Sequence, residues 1–304
     1  MKIARRIFIS VPSDQILNDA QQQLKWAIVE KIESLGYIPE IFNSERPNQG
    51  SLAAGRGWTF TECITVMKRC IGTIIIGLPR HNINSTDGQL KMPTEYAHFE
   101  GALAISFDIP TMLLAEAGLA DRGIFHEGGG QIITFFPTDA DAQWLSNSKF
   151  TNALNFFEQK LKQRRDIFLG YCSKSEGTAR KIKMFIEKVL KATVLDWQKD
   201  FTEGKTIIEE IEEASRRTSG GIFLFTKDDD IQQGDTTVAA PRDNVVFETG
   251  FFAQSKGRGR VLIIREKEAK MPADLGGSIY VNLDDRTNIE PLKSRLRRFL
   301  KTAI

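Results

Sequence analysis

Arg242-Asp243-Asn244-Val245-Val246-Phe247-Glu248-Thr249-Gly250-Phe251-Phe252 opens with three polar residues and then sets a single acidic residue, Glu248, in the largely apolar run Val245 to Phe252. The basic turn Lys256-Gly257-Arg258-Gly259-Arg260 follows and leads into Val261-Leu262-Ile263-Ile264, a continuous apolar segment of the kind buried on both faces of a sheet. A helix returned by a short turn into a buried strand is the repeating step of a parallel sheet with helices on its faces. A carboxylate in such a place is either a paired structural charge, with Arg242 or Arg260 as partners, or a working group.

Upstream of this stretch the same step recurs. Ile167-Phe168-Leu169-Gly170 and Gly221-Ile222-Phe223-Leu224-Phe225-Thr226 read as buried strands. Thr193 to Asp196 gives a brief strand, and Thr206 opens a helix with Glu209 three residues on, a capping-box spacing. Lys227-Asp228-Asp229-Asp230 is an acidic turn, and Gln232 to Ala240 reads as a flexible loop or lid. Downstream, Ser278-Ile279-Tyr280-Val281-Asn282 is the last strand expected, and Ile289 to Leu300 a basic amphipathic helix.

The first half follows the same order. Strands are expected at Ile7 to Val11, Tyr37 to Phe42, Gly72 to Gly77, Pro110 to Leu114 and Gln131 to Phe135, with helices at Asn18 to Leu35, Thr59 to Arg69 and Thr94 to Phe107. Asn43 to Gly57 and Arg80 to Met92 read as polar loops at the carboxyl ends of strands, where such sheets bind ligands. Arg5-Arg6-Ile7-Phe8-Ile9-Ser10 and Arg164-Arg165-Asp166-Ile167-Phe168-Leu169 look like two copies of one opening. Glu100 then falls in the same slot as Glu248. Glu95 and His98 share a face of that helix, and Ser10 and Asp14 stand at the end of the first strand. Gly101, Ala102 and Ala104 would let a ligand or a second backbone come close.

The chain of 304 residues suits two α/β domains, each a mostly parallel sheet flanked by helices. The expected boundaries are 1–136, a linker helix within 137–164 that fits equally well as the final helix of the first domain, and 165–304. With 41% hydrophobic and 26% charged residues, it has the composition of a soluble globular protein. A net charge of +2 gives no reason to expect nucleic acid as a partner. Cys63, Cys70 and Cys172 lack metal-site spacing and suit a reducing compartment, no metal is expected, and no apolar run reaches bilayer length. A cytoplasmic protein is the expectation.

Two resemblances add to this reading. Glu100-Gly101-Ala102-Leu103-Ala104, with Ile109-Pro110 before a strand, loosely resembles the nucleoside 2-deoxyribosyltransferase superfamily over roughly residues 3–136. The superfamily's glycine usually stands two residues after the glutamate, whereas Gly101 follows at once. That resemblance implies a helix glutamate acting on a ribose, or a domain kept for sensing or assembly. Residues 166–304 resemble much more closely the TIR-like predicted nucleotide-binding domain of bacterial anti-phage effectors. The segments that carry it are Ile167 to Gly170, Gly204 to Glu209, Phe225 to Asp229, Arg242 to Phe252, Pro272 to Gly277 and Tyr280 to Asp284, with Asp243 where relatives often have Gln.

The second resemblance implies a flavodoxin-like, TIR-like fold and cleavage of NAD+ at the nicotinamide–ribose bond, NAD+ being substrate and no cofactor needed. By it, Glu248 is catalytic, and Gly170, Tyr171, Cys172, Ser173, Trp197, Phe201, Asp228, Asp229, Arg242 and Asn244 would contact the substrate. A homo-oligomer or filament is implied, with an upstream nucleotide signal or defence-system partner protein switching it on. Glu100, Glu95, His98, Ser10 and Asp14 form a possible second site, for release or exchange of a nucleoside base. A nucleotide-sensing adaptor without turnover is the non-enzymatic alternative. The aromatics Phe247, Phe251 and Phe252 are expected mainly to pack.

Overall fold

The computed structural model describes residues 3–303 apart from 47, 86–87, 202–203, 205 and 276–279. Ser278 and Ile279 of the expected last strand, and Lys205, Gly276 and Gly277 of the motif segments, lie outside the described residues. The chain divides into two compact units, one of Arg5–Gln163 and one of Met1–Ala4 with Arg164–Ile304.

The first unit runs β1 (Arg6–Ser10), α1 (Asp19–Ser34), β2 (Ile38–Glu40), α2 (Phe60–Met67), β3 (Gly72–Gly77), β4 (His81–Ser85), β5 (Gly88–Met92), α3 (Glu95–Ser106), β6 (Thr111–Glu116), β7 (Ile133–Phe136) and α4 (Ser148–Gln163). Five strands form one parallel sheet in the order β2-β1-β3-β6-β7. Its strands read as unbroken apolar runs because both faces are covered. Ile7, Ile9, Ile74, Ile76 and Leu114 meet α1 and α4 on one face, and Phe8 meets Cys63, Val66 and Met67 of α2 on the other. Phe150, Leu154, Phe157 and Leu161 of α4 belong to the core that holds β1 and β3, so the helix read as a linker is a structural layer of this unit. Asn18 caps α1, through a capping box with Gln21.

The second unit runs β8 (Arg165–Gly170), α5 (Glu176–Met184), β9 (Val194–Asp196), α6 (Trp197–Asp200), α7 (Ile207–Arg217), β10 (Thr218–Phe225), β11 (Asp229–Gln233), β12 (Thr236–Ala240), α8 (Asp243–Lys256), β13 (Val261–Glu266), β14 (Tyr280–Leu283) and α9 (Lys293–Ala303). Its parallel sheet, β14-β13-β10-β8-β9, has the same topology as the first when renumbered from its own first strand. Ile167, Leu169, Ile222, Leu224 and Ile264 pack with α5 and α9. Phe168, Phe223, Phe225 and Ile263 pack with α7 and α8. Ile3 also lies in the first of these clusters. Thr206 and Glu209 form the expected capping box on α7.

Two expectations are corrected by the strand pairing. The stretches Arg80 to Met92 and Gln232 to Ala240 are not loops: each holds an antiparallel hairpin, β4–β5 and β11–β12, placed between the third strand of its sheet and the glutamate helix. The repeat is also offset by one from the sequence comparison. Ser10 pairs with Ile75, and Gly170 with Phe223, at the same rung of the two sheets, so Ile7-Phe8-Ile9-Ser10 corresponds to Ile167-Phe168-Leu169-Gly170.

Candidate active site

In a sheet of order 2-1-3-4-5, successive connections leave the first strand to opposite sides, and the crevice between first and third strands is the position where ligands bind. Ser10 ends β1 and Gly170 ends β8 at that crevice. Glu100 and Glu248 each stand five residues after the first residue of their helices, Glu95 and Asp243.

The burial of Glu248 follows from its helical phase. Val245, Glu248, Thr249 and Phe252, spaced i, i+3, i+4, i+7, form the buried stripe of α8, so the glutamate occupies a place that an apolar residue would normally fill. Phe252 is wholly buried against Phe168 (ring centroids 5.0 Å) and Phe223 (5.3 Å). Glu248 is 7% exposed and its Oε2 has no hydrogen-bond partner among the described residues. Burial alone pushes its carboxyl up to about 8. The ion pair with Arg242 or Arg260 is not formed: Arg242 pairs with Asp229 at 3.2 Å, and an Arg260 Nη donates to the Ser219 carbonyl at 3.5 Å. A glycine at 170 makes this arrangement possible, since a Cβ there would lie 2.6 Å from Glu248 Oε2 and 2.5 Å from the Phe223 ring.

The other expected residues of this half take up several different roles. Tyr171 is buried and donates its hydroxyl to Asp196 (2.7 Å), and the Trp197 indole donates to the Tyr171 carbonyl (2.9 Å), which fixes both rings beside the end of β8. Phe201 stacks on Phe168 at 6.1 Å and serves the core. Asp228 is buried and accepts the Thr226 hydroxyl at 2.8 and 2.9 Å, so it braces its own turn. Asp229 and the buried Cys172 both neighbour the exposed Arg242 guanidinium. Ser173 and Asn244 are exposed. Sequence reasoning missed Arg286, which donates to Glu266 at 2.6 and 3.0 Å and to the Lys227 carbonyl at 3.1 Å, clasping the turns after β10 and β13.

The first unit treats its glutamate differently. Glu100 is 5% exposed and sits in the matching stripe of α3 with Ala97, Gly101 and Ala104. Trp58 Nε1 donates to it at 2.7 Å, the Cys63 thiol lies 3.9 Å away, and Ser10 also hydrogen-bonds to it. Burial pushes its carboxyl up to about 7 against these hydrogen bonds, and burial together with the neighbouring carboxylate pushes the Cys63 thiol up. A cavity of about 320 Å3 opens beside it, lined among others by Ser10, Ser13, Phe42, Trp58, Tyr96 and Glu100.

Of the second-site residues, the structure brings Ser10 and Glu100 together. Glu95 is exposed, and His98 accepts the Ile124 amide at 3.3 Å away from the cavity lining. Asp14 is buried with Lys25 at 3.0 Å. Gly101 does not admit a ligand, because the Ile124 side chain occupies that space, 2.4 Å from where a Cβ would stand. Among the described residues no group of three or more His, Cys, Asp or Glu could hold a metal ion, and no helix is long and apolar enough to cross a membrane.

Comparison with known proteins bears on the second unit. Residues 166–285 match the family described as CAP12/Pycsar effector protein, TIR domain. The chain is 35% identical over 124 residues to the uncharacterized protein YuaY of Escherichia coli K12, and 28% identical over 125 residues to CD-NTase-associated protein 12 of Niabella drilacis. Each of these alignments spans 40% of this chain and 40% of the relative's length. Among solved structures, the TIR domain of the Toll-related receptor TRR-2 from Hydra magnipapillata aligns with 45% of this chain and 98% of its own, at 13% identity and a TM-score of 0.34. It is the family match that bears out the TIR-like resemblance drawn from the sequence, over residues 166–285 of the second unit, which include its sheet and glutamate helix.

Proposed function

We propose that the second unit is the NAD+-cleaving domain of an anti-phage effector and that Glu248 is its catalytic carboxylate. The observation that carries this reading is a buried glutamate with an unpartnered oxygen at the end of β8, within the stretch that matches the CAP12/Pycsar TIR domain. A structural glutamate so deeply buried would have a partner. Glu248 has the geometry of a group kept for a ligand.

The chemistry suits one carboxylate. The C1′–N1 bond breaks, its electron pair passes to the pyridinium ring, and nicotinamide leaves neutral, so no general acid is required. Positive charge develops on the ribose, where an ionised carboxylate stabilises it. Water adds at C1′ and loses a proton, which gives ADP-ribose; capture by a group of the substrate itself would give a cyclised product. Burial favours the protonated carboxyl, and the cationic pyridinium of the arriving substrate favours the ionised form. In this reading Arg242, exposed and paired with Asp229 just before α8, meets phosphate oxygens, and Trp197 and the half-exposed Phe247 offer flat apolar walls.

By likeness to the CD-NTase-associated and Pycsar proteins, the upstream partner is a nucleotide-producing enzyme of a defence system. Assembly of the chain into an oligomer or filament is the second means of switching the site on. Nicotinamide release, measured on the purified chain with and without added nucleotides and beside size-exclusion profiles, tests the proposal. Glu248→Ala should abolish release. NAD+ left intact under every condition, with wild type and Glu248→Ala alike, would sink it. A second reading, base release at Glu100, draws support from the cavity in the first unit but meets a carboxylate already engaged by Trp58 and Ser10.

A further inference from the structure

The two edges of the first unit's sheet are finished differently. At one edge, β2 carries Pro39, which has no amide hydrogen, and Glu40, whose carboxylate pairs with Arg6 and receives the amides of Leu52 and Ala53. Proline and charge are common guards against the addition of a further strand. At the other edge, β7 has neither. Gln131-Ile132-Ile133-Thr134-Phe135-Phe136 is uncharged and almost wholly β-branched or aromatic, and among the described residues β7 pairs with β6 alone. The ladder fixes which of its backbone groups are left over. The Ala117 amide donates to the Phe136 carbonyl, so Phe136 turns its backbone groups toward β6, and by alternation along the strand so does Thr134. The N–H and C=O groups of Ile133 and Phe135 therefore point out of the open edge.

A groove of about 810 Å3 lies beside this edge, lined by Met112, Ile132, Thr134, Ala153 and Phe156 among others. Ile132 is 70% exposed and Phe156 47%, although both are large and apolar. Lys149 and Lys160, at the two ends of the part of α4 that lines the groove, and Asp108 add charge around an apolar centre, the usual composition of a protein interface.

One occupant answers both the edge and the groove. Antiparallel pairing of β7 with its own copy, about a twofold axis through Thr134, sets Ile133 opposite Phe135 twice over. Both are pairs of the hydrogen-bonded kind, so all four outward groups of each chain find partners. A β-branched residue facing an aromatic one is a favourable cross-strand pair, and an uncharged strand sets no like charges against each other. The axis stands normal to the sheet and keeps each face on its own side. The two grooves then join, and Ile132 and Phe156 of both copies share one apolar layer. Such a contact uses the same patch on both chains and closes at two. We propose that the chain dimerises through its first unit, β7 against β7 centred on Thr134, joining two five-stranded sheets into one. This gives the assembly invoked above a surface in the unit that does not hold Glu248, and its test reads mass and cross-linking, so it fails or stands apart from NAD+ cleavage.

Sedimentation equilibrium on the full chain decides the matter. Wild type should be dimeric at about 10 µM. Thr134→Lys and Thr134→Glu each bring like charges face to face on the axis, and each should raise the dimer Kd by about tenfold or more. Mixed in equal amounts, the two variants should recover a dimer, an outcome specific to residue 134 meeting its own copy. Thr134 is partly exposed, and circular dichroism checks that both variants keep the fold. Thr134→Cys should form a disulfide-linked dimer under mild oxidation, because residues facing each other in a non-hydrogen-bonded pair have Cα atoms about 4.5 Å apart, within disulfide reach. The proposal is overturned by a chain that stays monomeric to about 100 µM, by a dimer or larger assembly that both charge variants leave intact, or by a Lys–Glu mixture that stays monomeric.

Discussion

Gly170 and Glu248 share one space: a side chain at 170 would begin 2.6 Å from the carboxylate oxygen that has no partner. At the same rung of the first sheet stands Ser10, and its hydroxyl bonds Glu100. The Ser10 hydroxymethyl group is thus one of the tethers, beside the Trp58 indole, that hold Glu100 and that Glu248 lacks.

Gly170→Ser should carry the first arrangement into the second unit. The new hydroxyl would occupy Glu248, and nicotinamide release should fall by about 100-fold, the scale on which a single group that stabilises transition-state charge acts. The Cβ also meets the buried Phe223 ring, so the chain should be destabilised by about 1–3 kcal/mol in urea unfolding. Full activity in a folded Gly170→Ser chain would show that the open space beside Glu248 is not used.

Glu248 should make stability depend on pH. Its folded carboxyl titrates near 8, above the ordinary carboxylate range, so between those values the native state binds a proton that the unfolded chain has released. Stability is therefore lost as pH rises through this window, by at most about 1.4 kcal/mol per pH unit. Glu248→Gln, neutral throughout, should melt above wild type at pH 8 and converge with it near pH 4. Parallel Tm curves for the two proteins across that range would refute the assignment.

The same group should shape the rate. Stabilising an oxocarbenium ion needs the ionised carboxylate, so kcat/KM for NAD+ should climb with pH toward a plateau above about 8, reporting the free enzyme. A profile flat from pH 6 to 9 would mean that another group, or no titrating group, limits the reaction.

Two aromatics of α8 should answer differently to truncation. Phe252 is wholly buried between Phe168 and Phe223, and Phe252→Ala should cost about 3–5 kcal/mol in urea unfolding. Phe247 is 50% exposed, and Phe247→Ala should change stability by less than about 0.5 kcal/mol. If it stacks on substrate it should raise KM for NAD+ instead, and an unaltered KM would remove Phe247 from the site.

The parallel sheets were legible because runs such as Gly72 to Gly77 and Gly221 to Phe225 carry apolar residues on both faces, a pattern that little else produces. The hairpins were not. Asp229–Gln233 and Thr236–Ala240 hold together by ladder hydrogen bonds and bury little, so hydrophobic alternation is weak there. Gly234-Asp235, a two-residue connection with φ 61° at the glycine, was the available signal. Glu248 could be singled out from an acidic residue in an apolar stripe. Its lack of a partner, and the tethering of Glu100 by a tryptophan 42 positions away, depend on which strands end side by side, and sequence spacing does not reveal that.

Ile3 completes the core of the second unit, among Ile167, Ile222 and Leu262. That unit is thus discontinuous in sequence, with its opening residues and its main body separated by all of Arg5–Gln163. During synthesis Ile3 must wait for core neighbours made much later, after the whole of Arg5–Gln163, while that intervening unit has everything it needs to fold as it emerges. The two units are therefore ordered in time as well as along the chain, and the NAD+-cleaving half proposed here is the one that can be finished last.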